Sequence, residues 1–472
     1  MKTILIHPPF GFEELAGNTA SMKSVMNIIP PLGICYIAAV LEENGKEVEI
    51  IDCTPVDTSH QELLYELERK KPDIVGISST TPAFESTLKT AGMVRAALPD
   101  AIVVIGGVHV TALPEETLSC GLFDVGVLGE GEVTFLELVN HLESKKLKDL
   151  SKVMGIAYRK NNRVVITEKR DFIKDLDSLP LPARHLLPSL EKYHPTPASY
   201  RRLPHADLMT SRGCPSLCTF CDRAVFGCSY RGRSAENVMD EVEELIRKYR
   251  VRDIKFFDDT FTLDRRRLDR ICELFHERGI DIPWSCLTKV NYVTKEMLEK
   301  MRKAGCWQVL YGIESGDPHM LKILKKGTTV EQNEQAIRWA QQVGLNVRAD
   351  FIMGTPGDAL ESMEKTLQFA MRLNPDFAHF NKFTPYPGTE IYHNLVAQGY
   401  CFDFTKACSQ LDHSIIMYCP KGVDPVDYRN FIDMAYRRYY LRPAYILRQL
   451  KQIRSFEDIR RMWKGFFAIV GL

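Results

Sequence analysis

The sequence predicts an α/β protein: two parallel-sheet domains in series, closed by a small helical region. Three observations predict it. Short apolar runs alternate with helical patterns twice along the chain, the loops after those runs are small and polar, and a proline-bearing stretch separates the two series. At 472 residues the chain has the length for two or three domains, each able to bury its own core.

The first series occupies residues 1–145. Its apolar runs, Thr3–Ile6, Val48–Ile51, Ile74–Ile77, Ile102–Ile105 and Val125–Leu128, read as buried strands. Leu32–Asn44, His60–Lys70, Phe84–Ala97 and Val133–Leu142 carry apolar residues at helical spacing. Alternation of this kind predicts a Rossmann-like doubly wound sheet, which binds ligands at the carboxyl ends of its strands. Those ends hold Pro8-Pro9, Ser78-Ser79-Thr80-Thr81, Gly106-Gly107-Val108-His109 and Gly129-Glu130-Gly131-Glu132. One such loop is an ordinary turn; four along one sheet edge predict a crevice. No Gly-x-Gly-x-x-Gly follows the first strand, so a nicotinamide or flavin dinucleotide is not indicated. The Gly129–Glu132 loop carries two carboxylates where a pyrophosphate needs backbone amides.

Residues 146–199 read as a linker with a β-hairpin, in which Gly155–Lys160 and Arg163–Thr167 flank Asn161-Asn162. Prolines then interrupt regular structure. The second series, residues 200–392, has candidate strands Asp207–Thr210, Asp253–Phe257, Trp284–Thr288, Gln308–Tyr311, Asn346–Ile352 and Phe377–Phe383. Helical patterns between them include Ala235–Tyr249, Arg265–Arg278, Lys295–Ala304, Val330–Val343 and Ala359–Arg372, with a capping box at Thr329-x-x-Gln332. Met297 and Met301, at helical spacing, read as core. Six βα units are fewer than the eight of a closed barrel and predict a partial (β/α)6 barrel of the TIM type. Residues 393–472 lose the strand signal and become helical from about Pro425.

The 61 basic residues match 61 acidic ones, so bulk charge gives no argument for nucleic acid. A 45% hydrophobic and 26% charged composition excludes wholesale disorder. No run of eighteen apolar residues predicts a spanning helix, and the first apolar run is too short for a signal peptide. A cytoplasmic protein is expected. Thirteen cysteines spread over this length read as reduced thiols with one special cluster.

That cluster is Cys214-Pro215-Ser216-Leu217-Cys218-Thr219-Phe220-Cys221, directly after a strand. Thiolates so spaced can reach one metal centre from a single loop. Three ligands suit a four-iron cluster with one open iron, whereas a structural zinc is closed by four, and Cys228 is a candidate fourth.

Cys-x-x-x-Cys-x-x-Cys with an aromatic residue before the last cysteine resembles the signature of the radical S-adenosylmethionine (SAM) superfamily. Arg231-Gly232-Arg233-Ser234, Phe257-Asp258-Asp259-Thr260-Phe261, Tyr311-Gly312-Ile313-Glu314-Ser315-Gly316, Gly354-Thr355-Pro356-Gly357 and Pro385-Tyr386-Pro387-Gly388-Thr389 extend the resemblance over residues 205–390. The first series, with Pro30-Pro31-Leu32-Gly33 and the four strand-end loops, resembles the cobalamin-binding domain that one subfamily joins to such a barrel.

The resemblance implies a 4Fe–4S cluster held by Cys214, Cys218 and Cys221, with SAM on the open iron cleaved reductively to a 5′-deoxyadenosyl radical. It implies Phe220 against the adenine and Glu314 bonded to the SAM amino group or ribose. Ser285 and Lys289 become candidates for ribose and carboxylate contacts, and Asp258 and Asp259 for orienting SAM or substrate. For cobalamin it implies a site along Ser78, Ser79, Thr80, Gly106, Gly107, His109, Gly129 and Glu130. The Asp-x-His-x-x-Gly motif that supplies a lower ligand is absent, so His109 reads as a loop histidine near the corrin. An external one-electron reductant such as flavodoxin or ferredoxin is implied.

The expected reaction is cobalamin-dependent methylation of an unactivated carbon on a small, lipid or tetrapyrrole-like substrate. Two alternatives stand: an anaerobic oxidative cyclase or ring-rearranging enzyme, and a non-catalytic zinc-stabilised protein carrying a corrinoid or nucleotide. The tail mixes arginine with tyrosine and leucine and ends almost wholly apolar, which fits either peripheral membrane contact or packing on the barrel.

Overall fold

The computed structural model describes residues 1–10, 27–145, 147–405, 415–453 and 456–470. Cys408 and the last two residues of the apolar tail lie outside these. The first sheet contains five parallel strands, β1 (Thr3–His7), β2 (Val48–Asp52), β3 (Ile74–Ser78), β4 (Ile102–Gly106) and β5 (Val125–Val127), in the order β2-β1-β3-β4-β5. Alternate residues of these strands feed two separate cores, with Leu5, Val104 and Phe135 in one and Ile4, Val103 and Phe84 in the other. Burial on both faces is why the strands read as continuous apolar runs. Helices α1 (Leu32–Glu43), α2 (His60–Lys70), α3 (Phe84–Ala97), α4 (Val108–Ala112), α5 (Pro114–Ser119) and α6 (Gly131–Lys145) complete the layers. The strand order reverses between β1 and β3, the place where an open sheet of this kind opens a crevice.

The hairpin expected in the linker belongs instead to this sheet. Its strands, β6 (Ile156–Lys160) and β7 (Arg163–Ile166), extend the sheet, and β6 runs antiparallel to β5 with Val125 opposite Tyr158. Ile156, Ala157 and Tyr158 are buried by that docking, which an isolated two-stranded hairpin cannot achieve.

The second sheet is all parallel. Strands β8 (His205–Leu208), β11 (Asp253–Phe256), β12 (Trp284–Thr288), β13 (Cys306–Glu314), β14 (Asn346–Met353) and β15 (Phe377–Lys382) lie side by side in chain order. The end strands do not pair with each other, so the sheet is open among the described residues. β8 begins two residues earlier than the pattern indicates and stops at Leu208. The chain then forms a separate short ribbon, β9 (Ser211–Arg212) with β10 (Arg231–Gly232), that brackets the cysteine loop. Helices α7 (Ala235–Tyr249), α8 (Arg265–Glu277), α9 (Lys295–Lys303), α10 (Pro318–Ile323), α11 (Val330–Gln342) and α12 (Leu360–Leu373) follow the strands. Trp284 stacks with Phe275 and meets Phe256 edge-on, with Met297 and Met301 buried in the same core.

Beyond α13 (Glu390–Ala397) come α14 (Pro425–Tyr440), α15 (Pro443–Gln452) and α16 (Phe456–Val470). The first of these closes an edge. Tyr436 and Tyr440 hydroxyls accept from the Phe380 and Ala378 amides, and Tyr428 accepts from Phe383 while donating to the Met353 carbonyl. The backbone at β15 therefore has partners that an open edge strand lacks.

Candidate functional site

The cysteine loop is fixed from three sides. Asp258, just past β11, accepts from the Thr210 amide, the Thr210 hydroxyl and the Ser211 hydroxyl, each at 2.6 Å, and is fully buried. It holds the strand that leads into the loop, a positioning task in place of the expected contact with SAM or substrate. Asp259 is turned the other way and accepts from the Gly213 amide; burial, then the neighbouring Asp258 charge, raises its carboxyl. Gly213 has φ +83°, and a Cβ there would stand 2.3 Å from the Ser229 carbonyl, so only glycine allows the loop to start here. At the far side, the Thr219 amide donates to Leu324 and its carbonyl accepts from Ile391, both at 3.0 Å.

Within the loop the Cys221 amide donates to the Cys218 carbonyl at 3.3 Å. The two thiols share a hydrogen bond which, with the ammonium groups of Lys326 and Lys289, brings Cys218 down to about 6 against its burial. Cys214 lies 3.8 Å from the Thr260 hydroxyl. Among the described residues, no three cysteine, histidine or carboxylate side chains are gathered into one ligand set. The donor chemistry nevertheless fits a thiolate-bound cluster: three thiols on one anchored loop, with two cations beside them that favour the thiolate.

Glu314 and Lys289 are brought to this loop. Glu314 ends β13 with φ +65°, beyond an irregularity in the pairing with β14. Its carboxylate accepts from Lys326 Nζ at 2.7 Å in a buried pair; burial raises it and Lys326 opposes that. The pair packs against Gly312, where a Cβ would stand 2.3 Å from Glu314 Oε1 and 2.9 Å from Lys326 Nζ and would push both side-chain ends aside. Lys326 Nζ also sits 5.7 Å from the centre of the Phe220 ring, and Lys289 Nζ donates to the Ser216 hydroxyl at 3.0 Å. Ser285 is not brought here. It is fully buried four residues earlier on β12, with a hydroxyl that lacks a partner among the described residues. Sequence reasoning misses Lys326; Lys325-Lys326-Gly327 looks like a solvated turn, and only the fold carries its ammonium inward.

In the first sheet, the ends of β3 and β4 meet at Gly107, which has φ +108°. A Cβ there would lie 2.5 Å from the Ser79 carbonyl. Ser78, Thr80, Gly106 and Gly107 remain accessible beside the switch point, and a Cβ at Gly129 would meet nothing. A floor of small residues and bare backbone suits a broad planar ligand such as a corrin. Ser79 turns inward, accepting from Thr87. His109 is buried, stacked on Phe84 at 3.8 Å and bonded to Thr81, and burial lowers it to about 4. Glu130 has a different role from the expected cofactor contact. It accepts from Arg212 (2.8 Å), Arg231 (2.9 Å) and the Ile173 amide (2.8 Å), while Glu132 takes the other arm of Arg212 at 2.5 Å. These buried ion pairs tie the first sheet to the residues that bracket the cysteine loop.

The chain carries the pattern of the radical SAM superfamily over residues 208–370 and that of the B12 binding domain over residues 19–139. It is 33% identical to an uncharacterized methyltransferase of Pyrococcus horikoshii, over 99% of this chain and 98% of that one. It is 30% identical to the anaerobic magnesium-protoporphyrin IX monomethyl ester cyclase of Rubrivivax gelatinosus, over 94% of this chain and 78% of that one. In fold it matches a radical SAM methyltransferase from Kitasatospora setae, solved with cobalamin and a 4Fe–4S cluster bound. There the TM-score is 0.70 at 18% identity, covering 100% of this chain and 99% of the other. The chain belongs to the cobalamin-dependent radical SAM methyltransferase family, which has cyclases among its relatives and whose cofactors are a 4Fe–4S cluster, SAM and cobalamin.

Proposed function

We propose that this protein methylates an unactivated carbon of a small molecule, with lipids and tetrapyrroles within its range. One observation carries the reading: Glu130 and Glu132, at the carboxyl end of β5, grip Arg212 immediately before the cysteine loop. The crevice edge of one domain thus abuts the cluster loop of the other. The bound cofactors would supply reductive cleavage of the sulfonium and a transferable methyl group.

The chain's own residues divide that work. Cys214, Cys218 and Cys221 would hold iron. Glu314 with Lys326, and Lys289, would meet the amino and carboxylate groups of SAM; Phe220 would lie against adenine and Asp259 would orient the reactants. Ser78, Thr80, Gly106, Gly107 and Gly129 would line the corrin crevice. Asp258, Ser79 and Glu130 position loops. A flavodoxin- or ferredoxin-like reductant in the cytoplasm would deliver the electron.

Among the described residues no helix is long and apolar enough to cross a membrane. The last two helices expose Leu447, Leu450, Trp463 and Phe467 beside Arg460 and Lys464, which supports peripheral contact with an anionic bilayer. Cosedimentation with anionic vesicles, reduced by Trp463→Glu, tests that contact; equal sedimentation of both proteins would reject it.

The central test is anaerobic reconstitution with iron, sulfide and cobalamin. Reductant-dependent S-adenosylhomocysteine and 5′-deoxyadenosine should both form, be lost in Cys218→Ala and persist in Cys228→Ala. 5′-Deoxyadenosine alone would favour the cyclase reading, and no cleavage with one tightly held zinc would reject radical chemistry.

A further inference from the structure

The inner face of the second sheet has a polar wall below Glu314 that neither the cluster nor the SAM contacts use. Parallel register places Lys255 of β11 between Asp207 of β8 and Ser285 of β12. On β14 and β15, Arg348, Asp350 and His379 project to the same face. Asp350 and His379 keep 29% and 25% of their side chains exposed, and Phe257, past the end of β11, keeps 38%. The face is therefore open to a ligand.

The charges on this wall are unevenly matched. Arg348 is held by both oxygens of Asp350, at 2.9 and 3.2 Å, and by the Ser199 hydroxyl. His205 lies between Asp207 and Asp253 at 3.5 and 3.1 Å and is hydrogen-bonded to Asp253, while the second oxygen of Asp207 has no hydrogen-bond partner among the described residues. Lys255 is left over. It is 6% exposed, and among the described residues its ammonium makes no hydrogen bond or ion pair; the centre of the Phe257 ring lies 5.0 Å away. Burial lowers it to about 8, outweighing the more distant Asp207, Asp350 and Asp253, while Arg348 pushes the same way as burial. A buried ammonium without a hydrogen-bonded counter-charge is costly, and a ligand that supplies one recovers that cost.

We propose that Lys255 is an anion-recognition residue on the floor of the active-site cavity, so that the substrate carries a carboxylate or phosphonate group seated against this ammonium. The rest of the substrate then lies on Phe257 and faces the His379 imidazole. The inference rests on the methyltransferase reading for the word substrate, but the anion site can be tested without turnover.

In the full-length protein, acylation of individual lysines is followed by mass spectrometry in rising methylphosphonate, propionate or neutral propionamide. An anion that favours the ammonium tenfold slows acylation of Lys255 about tenfold. At least one anion should protect Lys255 saturably, exposed Lys365 should be unaffected and propionamide should be inert. Protection by methylphosphonate alone, or by propionate alone, identifies the group. Lys255→Met should also abolish the anion-dependent rise in melting temperature of the wild-type protein. The proposal is overturned if neither anion protects, if propionamide protects equally, or if the variant keeps the thermal shift. Should SAM still be consumed by reconstituted protein when protection fails, the methyltransferase reading survives without the anion site; protection without SAM consumption keeps the anion site and removes the methyltransferase reading.

Discussion

Glu130→Ala should uncouple the two sheets. The wild-type carboxylate is buried and accepts from two guanidinium groups and one backbone amide, at 2.8 to 2.9 Å. Its removal leaves Arg231 without a carboxylate, Arg212 with Glu132 only, and the Ile173 amide without an acceptor. Breaking a buried pair this way costs about 3–5 kcal/mol, because the remaining charge stays desolvated. With a urea dependence near the upper end of the usual range for a unit of this size, about 3 kcal/mol per molar, the transition of the affected part should move roughly 1–2 M lower. The tryptophans provide a selective probe, since Trp284, Trp307, Trp339 and Trp463 all lie beyond the first sheet. Fluorescence should therefore follow the second sheet and its helices, and circular dichroism both sheets. Coincident curves in wild type should separate in Glu130→Ala and partly rejoin in Glu130→Gln, which keeps the acceptor for Ile173. Coincident curves at an unmoved midpoint in Glu130→Ala would refute the ion-pair argument.

Three further outcomes follow from the same geometry. Gly312→Ala should weaken SAM binding by about tenfold or more in calorimetry on reconstituted protein, since its Cβ would displace the Glu314–Lys326 pair; unchanged affinity would remove that pair from the site. The flanking carboxylates of Asp253, hydrogen-bonded, and Asp207, at 3.5 Å, raise His205 from its ordinary 6.5 to about 9 against burial. Its stabilisation, about 3 kcal/mol, is full below pH 6.5 and is lost as pH rises through 9, so thermal stability should fall over that range in wild type and stay flatter in His205→Gln. His109→Ala should cost about 2–4 kcal/mol through the cavity beside Phe84 while leaving the spectrum of bound cobalamin unchanged. A new axial-ligand spectrum would show that the imidazole does reach the corrin.

Much of the fold is legible because local rules and tertiary packing agree. His60–Lys70 ends where the sequence places it because Ser59 and Glu62 form a capping box and Lys71 adopts φ +47°. Trp284–Thr288 is legible to the residue because it is an apolar run between turns. The hairpin is harder to place for a definable reason: Ile156–Lys160 and Arg163–Ile166 have the pattern of a free hairpin, and nothing local says that β5 offers an edge to pair with. At the site, spacing points to the cysteines, and the family resemblance points to Glu314. Adjacency of Asp258 and Asp259 does not say which carboxylate turns to Thr210, and Lys326 has no motif at all. Each of those choices is made by residues distant in the chain.

The Gly129–Glu132 loop shows how a sequence can exclude one function and hide another. Two carboxylates disqualify it as a phosphate cradle, and that argument holds in the structure, where both carboxylates meet arginines. Why acidic residues stand at a ligand-binding strand end is answered only by Arg212 and Arg231, 82 and 101 positions from Glu130. Arg212 precedes Gly213, and Gly213 allows the turn into Cys214, so a charge in the first domain reaches the first cysteine through two residues. The relative placement of corrin crevice and cluster loop therefore rests on a buried ion-pair network as well as on the apolar packing of Tyr386, Tyr392, Phe402 and Phe404 against the first domain's core. Such a network is directional and fixes orientation, whereas an apolar face tolerates sliding. For a methyl group that must pass between two cofactors held by different domains, orientation is the quantity that the protein has to control.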